Sequence, residues 1–204
     1  MASAASNLAH VLPLVPRPSI QAPLSPADFI GRLIEVTGQG ASARTSWLAG
    51  QIAEAQRAGE TVAWIQRVGG LLYPPDLAAA GIDVAALAVV QMPDGPALLR
   101  AADVLLRSGG FGLCIVDLEG AALHPTDGQL GRLLGLCQKH GAAVVFLTAP
   151  VDTPALGSLV SLRLEVRREL RGTGQFAVQV QVVKDKRRGP GRVSEEEWRA
   201  PAGL

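Results

Sequence analysis

The sequence predicts an α/β fold: a mainly parallel sheet flanked by helices that ends in an antiparallel hairpin. Two patterns predict it. Between residues 31 and 148, five short apolar runs alternate with amphipathic stretches, as strands buried on both faces of a parallel sheet require. The period then changes. Residues 159–170 (LVSLRLEVRREL) and 175–184 (QFAVQVQVVK) alternate apolar with polar positions, and RGTG joins them as a hairpin signal.

In chain order, residues 1–25 are proline-rich, show little periodicity and read as a flexible arm. SPAD at 25–28 offers Ser25 as a helix cap with Pro26 at the first helical position. A strand follows at 32–36, then a glycine-containing loop and a helix over 45–58. TVAWIQ (61–66) is the second strand, and a short helix fits 75–80. LAVVQ (87–91) is the third strand, and GPALLRAADVLLR (95–107) is a strongly amphipathic helix. GLCIVD (112–117) is apolar up to its terminal aspartate, 129–140 is helical, and AAVVFLT (142–148) is the fifth strand. The core domain therefore spans 26–186, and 187–204 reads as a mobile charged tail.

Composition narrows the class. The chain has 204 residues, 48% of them hydrophobic and 18% charged, enough to bury a full core. Its net charge of +1 hides an uneven distribution, since nine of 19 Lys and Arg residues fall between Arg163 and Arg192. No apolar run reaches membrane-spanning length, and the N-terminus lacks the basic start of a signal peptide, so a cytoplasmic protein is expected. Cys114 and Cys137 sit in apolar segments without ligand spacing. With His10, His124 and His140 scattered, no metal site is expected.

The central stretch is 31–47, GRLIEVTGQGASARTSW. Strand, glycine turn and helix form the setting of a P-loop, whose pattern is G-x-x-x-x-G-K-S/T. Here Gly38 is followed after four residues by Ala43, Arg44 and Thr45. Arg44 keeps a charge but is a planar fork rather than a compact ammonium, and Ala43 adds a Cβ where a phosphate loop needs free backbone. Thr45 retains the hydroxyl for magnesium, and Asp117 stands at a strand end where a metal-holding carboxylate belongs. The vestigial nucleotide site would comprise Gly38, Gly40, Ser42, Arg44, Thr45 and Asp117. No acidic residue lies between Glu60 and Asp76, and the fifth strand ends in Thr148, Ala149 and Pro150. Neither tip offers a group to orient an attacking water, so no catalytic residue and no cofactor is expected. Residual ATP and magnesium binding without turnover, and a loop that merely joins strand to helix, both stay open.

Lys184, Lys186, Arg187, Arg188 and Arg192 form a basic stretch suited to phosphate neutralisation, although the acidic run beside it offsets part of the field. A solvated tail is the simpler reading. Trp198, isolated in a polar segment, suits a partner anchor or a residue folded back on the domain. In the arm, Leu12, Leu14 and Ile20 supply apolar side chains for an extended partner contact.

Together these segments resemble the core of RecA-type recombinases. GRLIEVTG with its nine-residue loop resembles their first strand and P-loop. GIDVAALAVVQMPDGPALLRAADVLLRSGGFGLCIVD resembles their next two βα units, and the 159–186 region resembles their closing hairpin. The departures matter. RecA-like recombinases carry a catalytic glutamate after the second strand, where this chain has QRVGGLLYPPD, and the stretch between Asp117 and Leu159 is short for their two DNA-binding loops. The pattern is similar to the degenerate RecA homologues of damage tolerance, the ImuA and SulA-like group. That resemblance implies a non-enzymatic accessory role in SOS-linked translesion synthesis and DNA repair. Its implied partners are RecA or an ImuB-like Y-family polymerase subunit, with weak DNA contact. The alternatives are a SulA-like inhibitor of cell division and a weak ATP-binding recombinase paralogue.

Overall fold

In the computed structural model the described residues are 22–38, 43–70, 72, 74–121, 123–148 and 156–199. A 3-10 turn at Pro26–Asp28 leads into β1 (Arg32–Thr37), α1 (Arg44–Arg57), β2 (Val62–Arg67), α2 (Pro74–Ala79) and β3 (Leu87–Met92). Then follow α3 (Gly95–Ser108), β4 (Leu113–Asp117), α4 (Asp127–His140) and β5 (Ala143–Leu147). The chain closes with β6 (Leu162–Gly172), β7 (Gln175–Asp185) and β8 (Val193–Arg199). The eight strands form one sheet in the order β3-β2-β4-β5-β1-β6-β7-β8. Every pair from β3 to β6 is parallel, and the last two pairs are antiparallel. The expected mainly parallel sheet with a closing antiparallel hairpin is present.

The central strands of the parallel part are apolar on both sides because helices cover both faces, whereas edge strand β3 is partly exposed. On one face Ile34, Val36, Trp64, Ile115 and Val145 pack with Trp47, Leu48 and Ile52 of α1. On the other, Leu33, Ile65, Val116, Val144 and Phe146 meet Leu98, Leu106, Leu130 and Leu133 of α3 and α4. Each fully buried aliphatic or aromatic side chain contributes about 1.5–3 kcal/mol relative to exposure. Local signals set the helix ends. Asp94 caps α3 through the Ala97 N–H at 2.7 Å, and Thr126 with Gln129 forms a capping box that starts α4 earlier than periodicity suggested. Gly109 and Gly141, at φ 69° and 66°, end the two helices in the left-handed conformation.

Two expectations change. The 159–170 segment does pair with the following strand, but its β6 core also lies parallel beside β1, with Ile34 opposite Leu162 and Glu35 opposite Arg163. Its first half is consequently buried, and only residues beyond Val166 are exposed. Period-two alternation reports which face a residue takes, not which strand lies alongside.

The second concerns the tail expected to be mobile from residue 187. After two glycines with positive φ (Gly189 at 79° and Gly191 at 95°), the chain turns back as β8 along β7. Trp198 lies opposite Phe176, and Ser194 opposite Val180. Of the glutamates that suggested a solvated tail, Glu195 is held by neighbouring strands and Glu196 by Trp198 of its own strand. Glu195 accepts from Arg171 at 2.7 Å and from Gln179 at 2.8 Å. At the other end of the core, Gln51 donates to the Leu24 carbonyl at 3.2 Å, anchoring the last residues assigned to the arm. No helix among the described residues is long and apolar enough to cross a membrane.

Candidate functional site

The carboxyl ends of β1, β2, β4 and β5 lie side by side, because these strands are parallel neighbours. The N-terminus of α1 meets them there. Between these tips is a cavity of about 310 Å³ whose lining includes Arg44, Thr45, Arg67, Gly70, Asp117 and Glu119. Trp64 and Leu147 add apolar walls. The topology thus brings together Arg44, Thr45 and Asp117, three of the residues singled out from the sequence. Gly38 follows β1 directly and is buried, whereas Gly40 and Ser42 lie outside the described residues.

Arg44 holds the position that lysine takes in the phosphate-loop pattern, and its side chain is turned onto the protein itself. One terminal nitrogen donates to the Thr148 carbonyl at 2.5 Å, and the other meets both carboxylate oxygens of Glu119 at 3.1 Å. The residue is only 8% exposed. A guanidinium already holding a carboxylate has much of its field neutralised towards any further anion. Thr148 carries the network on. Its hydroxyl donates to buried Glu35 at 3.3 Å, and Glu35 in turn pairs with Arg163 at 2.7 Å across the β1–β6 ladder. One chain of polar contacts therefore links the head of α1, the tips of β4 and β5, and β6.

Asp117 accepts the Glu119 N–H at 2.9 Å. Burial pushes its carboxyl above the usual range, and the neighbouring Glu119 charge adds to that, while the Glu119 N–H and Arg44 act in the opposite direction. Arg67, the last residue of β2, donates to the Gly120 carbonyl at 2.6 Å and brings a second guanidinium to the cavity. Glu119 and Arg67 were not singled out from the sequence. The signal for Glu119 was a carboxylate two residues beyond a strand-terminal aspartate. For Arg67 it was the first charged residue after the second apolar strand.

Residues 27–142 match the family model described as the RecA N-terminal domain. The chain belongs to the RecA family. Proteins named RecA from Prochlorococcus marinus strains MIT 9211 and NATL1A are 31% and 32% identical, over 81% of this chain and 55% and 53% of their own length. RecA of Picosynechococcus sp. is 29% identical over 81% of this chain and 58% of its own. The chain spans little more than half the length of these RecA relatives. In this RecA-family core the cavity lies on the sheet edge where α/β folds bind ligands, outside the carboxyl ends of the strands.

Of the residues considered for nucleic acid, Lys184 lies in β7 and the others along the turn between β7 and β8, and several have partners within the chain. Arg192 pairs with Asp185 at 2.7 Å, Arg188 with Asp28 at 2.8 Å, and Arg187 donates to the Ile30 carbonyl at 2.9 Å. Lys184 approaches the Gly157 and Ser158 carbonyls at 3.4 and 3.5 Å. Burial, with Lys186 and Arg163 nearby, pulls its amine below the usual lysine range. Trp198 is half-buried against the α1 layer, close enough that a Cβ on Gly50 would sit 3.7 Å from its ring. Of the two readings of Trp198, it takes the folded-back one. Leu12, Leu14 and Ile20 lie outside the described residues.

Proposed function

We propose that this RecA-family chain is a non-catalytic accessory protein of DNA damage tolerance, similar to ImuA. It would act in the cytoplasm through contacts with RecA or with an ImuB-like Y-family polymerase subunit, and so modulate recombination during translesion synthesis. The observation that carries this reading is Arg44. The one cation in the lysine position of the loop is engaged with Thr148 and Glu119 rather than directed at a free phosphate site. The loop after β2 supports it, because Arg67, Gly69 and Gly70 line the cavity where a recombinase would present a water-orienting carboxylate. A RecA-type core without turnover keeps its sheet as a rigid surface for partners.

A second reading is favoured by one feature. Thr45 and Asp117 both line the same cavity, so a nucleotide would find a hydroxyl and a carboxylate suited to magnesium. The experiment that separates the readings is ATP binding and turnover by the purified chain, with and without single-stranded DNA, alongside pull-downs with RecA and the polymerase subunit. Capture of either protein with background-level hydrolysis is expected. Hydrolysis stimulated by DNA and abolished by Asp117→Asn would overturn the accessory reading in favour of an ATPase.

A further inference from the structure

Helices α3 and α4 lie side by side on one face of the sheet, and every residue of both is described. Leu98, Ala102 and Leu106 of α3 pack towards the strands, so Arg100, Val104 and Arg107 form its outer stripe. A groove of about 430 Å³ runs along the seam between the helices. Leu99 and Leu133 are its buried floor, and Val104, 65% exposed, is part of its wall. A lone surface valine is ordinary; this one adjoins an apolar floor and stands among arginines. Arg100 and Arg132, with side chains 69% and 58% exposed, line the same groove. The carboxylate lining it, Asp103, is already shared. Arg132 grips both of its oxygens at 2.5 and 3.1 Å, and Arg107 reaches it at 3.0 Å. Arg100 meets Asp94 only at 3.9 Å. The groove is therefore apolar below and cationic at its rim.

We propose that the α3–α4 seam is a docking groove for an acidic amphipathic helix of a partner protein. The inference deepens the accessory reading, under which the chain works by contact. Apolar side chains at helical spacing on the partner would cover Val104 and the leucine floor. Carboxylates flanking them would meet Arg100 and the N–H donors of Arg132 that Asp103 does not use. Each of the two helices has 14 residues, about 21 Å, which gives a partner helix of about four turns a full seam to lie along. Charge selects among the occupants. Residues 1–21 of this chain are rich in apolar side chains but hold no acidic residue and add Arg17, so they do not complement the rim. A second copy set seam to seam across a two-fold axis would bring arginines against arginines. An acidic helix has neither fault, and its rim pairs would set orientation and association rate more than raw affinity.

The test is fluorescence anisotropy of the full chain with a labelled, stapled helical peptide of about four turns, with leucines at i, i+3 and i+7 and glutamates on both flanks. One control peptide replaces the glutamates by lysines and another replaces the leucines by serines. Arg100→Glu and Val104→Ser alter exposed side chains outside the Asp103 cluster, and thermal unfolding confirms that both variants are folded. The acidic peptide is expected to bind at least about fivefold more tightly than either control, and each variant to weaken it by about fivefold. Arg100→Glu should also improve binding of the lysine peptide, and added salt should erase the difference between the two charged peptides. No binding of the acidic peptide, equal binding of the charged peptides, or an affinity unchanged in both folded variants would overturn the proposal. Sedimentation of the chain alone is read beside it, and a dimer dispersed by Val104→Ser would assign the groove to a second copy instead. Pull-downs of RecA and the polymerase subunit with the double variant separate the two readings. Undiminished capture would overturn this surface and leave the accessory reading standing, whereas no capture by wild type with the peptide preference intact would sink those partners and keep the groove.

Discussion

The Arg32 guanidinium donates to the Asp185 carboxylate at 2.7 Å, with side chains 3% and 0% exposed, and so ties the first strand to the end of the seventh. Arg192 reaches the other carboxylate oxygen at 2.7 Å, and the Arg187 N–H adds a third donor at 2.8 Å. One buried aspartate thus holds the parallel half, the antiparallel half and the turn into β8 in register.

Removing that carboxylate strands buried cations. Asp185→Ala is expected to lower stability by about 3–5 kcal/mol, the usual consequence of breaking a buried pair from one side, measured by urea denaturation. A loss under 1 kcal/mol would show that the cluster is solvated. The pH dependence follows from its carboxyl. Burial pushes it up, but the Arg187 N–H, Arg32 and the Arg188 N–H outweigh this and hold it below the ordinary range. A depressed folded-state value gives stability that is present above the unfolded value near 3.8 and is lost as pH falls below it. Asp185→Asn should therefore flatten the acid limb of the stability curve.

Asp117 behaves in the opposite sense. Its carboxyl is raised, with burial the leading cause, so the folded state disfavours the ionised form. The cost is absent at low pH, where the group is neutral in both states, and appears as pH rises through the folded value. Asp117→Asn keeps the acceptor for the Glu119 N–H and should raise the melting temperature at pH 7 but not at pH 3. An equal shift at both values would count against the burial argument.

Strand β8 is anchored by one aromatic side chain. Trp198→Ala, which removes the ring packed over Gly50 and opposite Phe176, is expected to cost about 1–3 kcal/mol, less than a fully enclosed tryptophan. Limited proteolysis after residue 192 should accelerate in step. Unchanged cleavage would mean that the strand is held by its ladder alone.

Two arginines of the basic stretch should separate by burial. Arg188→Ala removes a bridge whose arginine is 60% exposed and should change stability by less than about 1 kcal/mol. Arg192→Ala, taken from a side chain 17% exposed against fully buried Asp185, should cost more than that. Equal effects in parallel urea titrations would refute the distinction.

The reach of the sequence can be seen at particular residues. Strands β1 to β5 and the helices between them were legible because covered strands are largely apolar and helices repeat at 3.6 residues. Arg44, Thr45 and Asp117 were placed together because strand-to-helix turns on a parallel sheet share one edge. Glu119 was not, since it meets Arg44 across 75 residues of chain and no local period marks such a pair. Strand β8 was missed for a related reason. Its run of glutamates looks like solvated chain until Arg171, Gln179 and the face of β7 are brought alongside.

Residue order alone therefore determined the α/β class, the helix limits near their caps, and membership of a parallel core with a substituted phosphate loop. Those properties rest on interactions within a few residues, where the chain's own period and capping chemistry are decisive. Tertiary structure decided that β6 lies between β1 and β7, that Asp185 clamps the two halves, and that Arg44 is answered by Glu119. Each of those is a contact between charges or strands distant in the chain, and its energy exists only once burial has removed the competing water.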